Sequence, residues 1–521
     1  MRSLYQILSL IQLGLIIFIS PSQTAPQDRC TDTTDCSNAA YLWPTKLGEA
    51  HLIESTRSGL RFHVRNLAQH EHLHQSGLST IAVDLAKEFQ TILGFGGAFT
   101  DSACINILSL NVSLRERLLN DYFGPDGLQY TLGRVPIGGS DFSTRPYSYD
   151  DTDSPDLELS HWALTSEDLD YKIPVIMRAK DLTEYRNESL KLIASPWSPP
   201  KWMKQSNSFK RGHLINSDEI YKAYAQYLVN FYQAYESFGL RFWGATVQNE
   251  PVAANIPFYY FNSMQMSAGE AIRLVRDHLG PALEGIGYNK TNFKLLVGDD
   301  SLLFVDQHVL SVLADEKVRN YISGMAFHWY SSGLIAPYSQ LSKLTQSLKG
   351  KIDYVVMTEA CAGAMPFSKH VDVGNWDRGE SYSMDIIEDM SRNTNAWLDW
   401  NLALDVTGGP NWAGNFVDSP IIVNKAANIY YKQPMYYHMG HFSRFFRPNS
   451  VRVEANLEHR YFFEKIMLLA VHNKQTGHLV VNILNRSPSS RKLKLEVRSS
   501  SVKVPPFEVE GRSISTVIVK L

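Results

Sequence analysis

Apolar and polar positions alternate along the chain in a recurring order. A short apolar run meets a turn rich in glycine and polar residues, and a longer stretch with apolar residues at helical spacing follows. Short apolar runs bounded by turns read as buried strands, and their alternation with 3.6-period stretches reads as βα units. The runs are Ile92–Ala98, Leu132–Phe142, Leu192–Trp202, Arg241–Pro251, Phe293–Asp300, Tyr321–Tyr330, Lys351–Cys361 and Asn395–Asn401. Helical spacing is clearest over Ile220–Phe238, where Tyr224, Tyr227, Leu228, Phe231 and Tyr235 share a face. It recurs over Ala268–Leu279, Leu303–Leu313 and Ser383–Met390. Eight such units predict an α/β chain built on a (β/α)₈ barrel over residues 91–401 and 433–449, with a doubly wound open sheet as the alternative.

The period changes to two at both ends. Leu60–Val64 and Ser79–Val83 alternate, as do His478–Leu484 and Ser513–Lys520. Residues 50–90 and 450–521 are therefore expected to form one β-sandwich side domain. Residues 25–49, rich in Asp, Thr and Cys, and 402–432, rich in Gly, Pro, Asn and Asp, are expected to form a small β cap near the barrel mouth.

The first residues carry Arg2, an apolar core from Ile7 to Ile19, then small residues and proline. This is the order of a secretory signal peptide, here expected to end near residue 24, and it is too short for a comfortable membrane span. Secretory entry makes the sequons at Asn111, Asn187, Asn289 and Asn485 candidate glycosylation sites. It also permits a disulfide between Cys30 and Cys36, although spacing alone does not fix connectivity. Cys104 and Cys361 lie in apolar runs and read as buried thiols. A net charge of -3 without blocks of like charge argues against a nucleic-acid partner. The glycines of Gly94–Gly97 do not match a dinucleotide fingerprint, and the histidines of Gln69–His74 read as a solvated connection, so no cofactor or metal is expected.

Two of the apolar runs end in glutamate: the fourth at Asn249-Glu250-Pro251 and the seventh at Thr358-Glu359-Ala360. Chemistry in such barrels sits at the carboxyl ends of strands. A separation of three units sets the two glutamates facing each other across the mouth, and a carboxyl pair is what glycosidic cleavage requires. Their surroundings must keep one protonated and the other ionised. Asn249 can bond a sugar hydroxyl beside the reacting carbon, Asp141 and Asn415 can hold hydroxyls, and Trp197, Trp202 and Trp400 offer platforms. Arg134 and His328 can position or tune the nucleophile.

Those residues stand in longer blocks, among them Gly94-Phe-Gly-Gly-Ala98, Ser195-Pro-Trp-Ser-Pro199, Asn249-Glu-Pro251, His328-Trp-Tyr330, Thr358-Glu-Ala-Cys361, Asp399-Trp-Asn-Leu-Ala-Leu404 and Asn415-Phe-Val-Asp-Ser-Pro420. Together the chain resembles the glucosylceramidases (acid β-glucosidases) of glycoside hydrolase family 30. The resemblance implies Glu250 as acid/base, Glu359 as nucleophile, and Asp141, Trp197, Asn249, Trp400 and Asn415 around the sugar. It further implies glucosylceramide in membranes as substrate, with retention and no cofactor. A saposin-type activator and anionic lipid would assist, at the luminal membrane face of the lysosome. The chain departs from the family's well-known animal members in its cap, where only Cys30 and Cys36 are available for bridging.

Overall fold

The computed structural model describes residues 28–521 apart from 35, 37, 39, 68–76, 258, 334, 365–367, 459–464 and 499. The signal-like segment and the histidines of Gln69–His74 lie outside the described residues.

Eight strands close into a parallel barrel: β1 Gly94–Ala98, β2 Leu132–Ile137, β3 Lys191–Pro196, β4 Phe242–Thr246, β5 Lys294–Ser301, β6 Ile322–His328, β7 Tyr354–Glu359 and β8 Ala396–Asn401. β8 returns to β1 with Trp397 opposite Phe95. The barrel interior is filled from successive strands by Leu132, Ile193, Leu296, Ala326, Val356 and Leu398, so it is a packed core and not a channel. Gly96 shows how tight the wall is, since a Cβ there would lie 2.0 Å from the Leu132 carbonyl oxygen. Outside, the helix Asp218–Ser237 starts where the Ser217 hydroxyl accepts from the Ile220 amide, and it buries the tyrosine-rich face.

The remaining strands form two further sheets. Asp28–Cys30, Ile429–Lys432, Ile421–Asn424 and Leu404–Asp405 pair into a small one, next to the Cys30–Cys36 disulfide. Buried Lys432 ties it to the barrel, donating to the Asp121 carboxylate at 2.7 Å and the Cys36 carbonyl at 2.6 Å. The other is one continuous nine-stranded sheet drawn from both chain ends. Its long strand Leu78–Thr91 pairs antiparallel with Val451–Glu458 and parallel with Arg491–Arg498, and the sheet encloses its own core of Leu52, Val83, Val481, Leu493 and Val517. Cys104 and Cys361 are free, buried thiols.

The sequon at Asn485 needs correction. Its side chain is fully buried in the nine-stranded sheet, and its amide donates to the Ser489 carbonyl at 3.0 Å and the Glu510 carbonyl at 2.7 Å. Both amide protons are engaged, and a glycan there has no path to solvent. Asn111, Asn187 and Asn289 are exposed.

The barrel helix Trp376–Met390 carries a buried acid pair, Asp385 and Asp389, one turn apart. Asp385 accepts from Tyr338 at 2.7 Å and from the Trp397 indole of β8 at 2.9 Å. Asp389 receives no donor among the described residues, and the neighbouring Arg392 is engaged by Glu388. Burial raises both groups, Asp385 to about 6, and for Asp389 the charge of Asp385 raises it further. A folded carboxyl held above the unfolded value of about 3.9 binds more protons than the unfolded chain, so its contribution to stability is full at acid pH. That contribution is lost as pH rises from about 4 through 6. Asp389→Asn is accordingly expected to leave Tm nearly unchanged at pH 4 and to raise it by several degrees at pH 7. A shift of equal size at both pH values, in a thermal melt, would refute this account.

Candidate active site

The carboxyl ends of β4, β5, β6 and β7 bring Glu250, Asp299, His328 and Glu359 together. Glu359 is the last residue of β7. Beyond β4 the chain bends, and Glu250 sits at φ 45°, a left-handed conformation rare outside glycine, with its amide bonded to the Asp299 carbonyl at 2.8 Å. Strain of this kind persists where the surroundings over-determine the backbone. Here it turns the Glu250 side chain into the mouth, so that carboxylate oxygens of Glu250 and Glu359 lie within 4.8 Å of each other.

Arg134 of β2 is fully buried and binds several acceptors at once. It donates to Glu359, to Asn249 Oδ1 at 2.7 Å, to Asp299 Oδ2 at 2.9 Å and to Ser195 Oγ at 3.1 Å. Its guanidinium also lies 4.8 Å from the Trp197 ring centroid. His328 of β6 meets Glu250 Oε1 through Nδ1 at 3.0 Å and Asp299 Oδ1 through Nε2 at 3.2 Å, while Nδ1 stands 4.0 Å from Glu359. Burial by itself would lower His328, but the charges of Glu359, Asp299 and Glu250 outweigh it and lift the imidazole to about 10. It is therefore an imidazolium donating from both nitrogens. With no lone pair free on His328, the Glu250, His328 and Glu359 cluster is suited to proton work and not to metal ligation.

Asp299 of β5 joins the two cations and was not singled out from sequence. Besides Arg134 and His328, it accepts from Thr246 at 2.6 Å and Thr358 at 2.7 Å. Burial alone would raise its pKa, but Arg134 and the imidazolium hold it well below the carboxylate range. The signal was present as the acidic doublet Asp299-Asp300 at the end of an apolar run. Tyr330, two residues beyond His328, was missed as well; its hydroxyl donates to Glu359 Oε1 at 2.7 Å. Glu250 itself is raised, chiefly by burial and in part by the Glu359 charge, against the pull of His328.

A cavity of about 180 Å³ opens over the pair, lined by Asp141, Trp197, Asn249, Tyr330, Trp400 and Asn415 with both glutamates. The Trp197 and Trp400 rings stack at 5.2 Å and 12°. Asn415, from the loop after β8, donates to Asp141 at 2.9 Å, and Asn411 approaches the same oxygen at 3.4 Å. Burial pushes Asp141 up to about 7 despite the Asn415 bond. Trp202 does not join this lining; it is buried nearby with its indole N–H on the Asp150 carbonyl at 3.0 Å. His328, expected to tune the nucleophile, contacts Glu250 more closely than Glu359.

Residues 92–446 match the Glycosyl hydrolase family 30 TIM-barrel domain. The chain is similar to the lysosomal acid glucosylceramidase of Mus musculus, 37% identical over 85% of this chain and 84% of that one. It is also similar to an endo-1,6-beta-D-glucanase of Neurospora crassa, 30% identical over 79% of this chain and 82% of the other. Among solved structures, SrfJ from Salmonella typhimurium superposes with a TM-score of 0.79 at 27% identity, covering 91% of this chain and 100% of that chain. A match over this much of the chain, on a closed eight-stranded barrel with paired glutamates at its mouth, identifies the protein as a glycoside hydrolase belonging to family 30.

Proposed function

We propose that the protein is a retaining β-glucosidase that cleaves β-D-glucosylceramide to glucose and ceramide. The observation that carries the mechanism is the approach of the Glu250 and Glu359 carboxylates to within 4.8 Å. Retaining enzymes hold their carboxyl groups about 5–5.5 Å apart, whereas inverting enzymes leave about 6.5–9.5 Å for a water between them. Glu250, raised by burial, is the acid that protonates the leaving oxygen while Glu359 attacks the anomeric carbon. Glu250 then takes a proton from the water that releases glucose, and the enzyme returns to its starting state.

Charge balance supports the same roles. Arg134 and imidazolium His328 carry two positive charges against Asp299 and the Glu359 carboxylate, so the site is neutral when Glu250 is protonated. Once Glu359 is esterified and Glu250 has given up its proton, the count is again two against two. Neither half of the cycle has to hold an uncompensated buried charge, which would be costly. The Tyr330 and Arg134 donors release Glu359 as its charge is consumed.

The small cavity favours a single sugar ring, being below the roughly 300–1,000 Å³ of pockets for drug-sized ligands. The Asp141–Asn415 contact stands at its lining and favours a terminal glucose over the long cleft that an endo-glucanase or xylanase needs. Similarity to the mouse lysosomal acid glucosylceramidase supports the lipid glycoside as substrate and the lysosome as destination, reached through the signal-like N-terminus. A saposin-type activator and anionic lipid belong to the same reading, as do glycans at Asn111, Asn187 and Asn289. The test is glucose release from β-glucosylceramide in anionic liposomes at about pH 5, where a raised glutamate still acts as acid. Release from this lipid, with little from β-galactosylceramide or soluble xylan, is the expected result. Activity on xylan alone would overturn the substrate assignment.

A further inference from the structure

A second cluster of ligating groups lies away from the catalytic pair, in the segment that follows β2. Residues Asp150 to Glu158 carry Asp150, Asp151, Asp153, Asp156 and Glu158, and His161 follows. Acidic runs are common on solvated loops, and by itself this one carries no weight. What distinguishes it is Asp150, which is only 1% exposed and has both carboxylate oxygens buried without a hydrogen-bond partner. Burying a carboxylate with neither donor nor counter-charge is expensive, and such groups are as a rule paired or bound to a metal.

One ligand atom each from Asp150, Asp156 and His161 falls within 4.8 Å of the others. Among the described residues, no lysine or arginine forms an ion pair with Asp150, Asp151 or Asp156; Asp156 Oδ2 accepts from the Ser160 hydroxyl at 2.9 Å and the His161 amide at 3.0 Å, and His161 Nδ1 lies 2.8 Å from it. The backbone around the cluster is fixed: the Trp202 indole holds the Asp150 carbonyl, and Asp151 accepts from the Ser148 amide at 2.9 Å. The orphaned carboxylate is thereby held beside a second carboxylate and an imidazole.

We propose that Asp150, Asp156 and His161 bind a divalent cation of the zinc type, which pins this loop to the barrel rim beside Trp202. Two carboxylates and one imidazole are a donor set that suits zinc, with water completing a tetrahedron, whereas calcium takes oxygen ligands in larger number. A cation bound through the imidazole nitrogen displaces the proton shared with Asp156, which leaves to solvent. The role is structural, because the cluster does not line the sugar cavity.

The test uses the full chain, stripped with chelator and titrated with zinc chloride at pH 7 by calorimetry and by thermal melting. One zinc per chain and a Tm raised by several degrees are expected. Asp150→Asn, which removes a buried charge and should itself fold, is expected to weaken zinc binding at least tenfold and to abolish the Tm rise. His161→Ala, at an exposed side chain, should do the same. A variant with His70, His72 and His74 all replaced by alanine should bind zinc as the parent does. Zinc affinity unchanged in Asp150→Asn, affinity lost in the triple-histidine variant, or a Tm rise with calcium chloride and none with zinc would each overturn the proposal.

Discussion

Glu359→Gln is expected to lower kcat on β-glucosylceramide by at least about 10⁴-fold while the protein remains folded. The size follows from the role: an amide cannot form the glycosyl ester through which both halves of the reaction pass, and removing a covalent nucleophile costs losses of this order. The fold should survive because Arg134 is not left alone. It retains Asp299 at 2.9 Å, Asn249 at 2.7 Å and Ser195 at 3.1 Å, and a glutamine oxygen can still accept from Tyr330. Stranding a buried guanidinium would cost about 3–5 kcal/mol, and here a carboxylate still faces it. The measurements are kcat with the natural lipid and Tm by calorimetry. Activity within tenfold of the parent would remove Glu359 as nucleophile. A Tm collapse would mean that Asp299 does not hold Arg134 as the geometry indicates.

The barrel was legible in the sequence because its signal is long-range and redundant. Six of the eight barrel strands fall inside the apolar runs and β3 and β5 overrun theirs by one residue, because a barrel strand buried on both faces is apolar along most of its length. The paired glutamates were legible for a related reason: Phe242–Pro251 and Tyr354–Cys361 hold no other charged residue, so Glu250 and Glu359 stand out. Asp299 was harder to see, since its value lies in what it touches. Thr246, Thr358, Arg134 and His328 come from four other strands, and their convergence on one carboxylate is a property of barrel closure that no local window contains. Asn485 failed in the opposite direction. Its three-residue sequon is purely local, whereas burial of the amide is set by pairing of His478–Asn485 with Ser513–Lys520. Trp202 shows the same limit, because a tryptophan near a sugar site reads as a platform until its indole N–H is seen to be committed to Asp150.

Glu250→Ala should separate the two glutamates by chemistry alone. With glucosylceramide, whose leaving alcohol needs a proton, the loss is expected to be about 10²–10⁴-fold. With an aryl β-glucoside carrying a good leaving group, the first step needs little acid help, so the glucosyl-enzyme forms and its hydrolysis becomes limiting for want of a base. Azide requires no deprotonation and occupies the space vacated by the carboxylate. It should therefore restore turnover and yield β-glucosyl azide, the product of two successive inversions. The cavity makes the experiment clean, since the removed side chain faces Glu359 across less than 5 Å, and His328 keeps Asp299 as a partner when Glu250 is gone. The same reagent acting on Glu359→Ala would attack the face that the nucleophile has left and give the α-azide by a single inversion. If the anomers came out the other way round, Glu359 would be the acid/base and Glu250 the nucleophile. The imidazolium at 3.0 Å from Glu250 would then be stabilising the attacking carboxylate instead of receiving the one left by proton transfer.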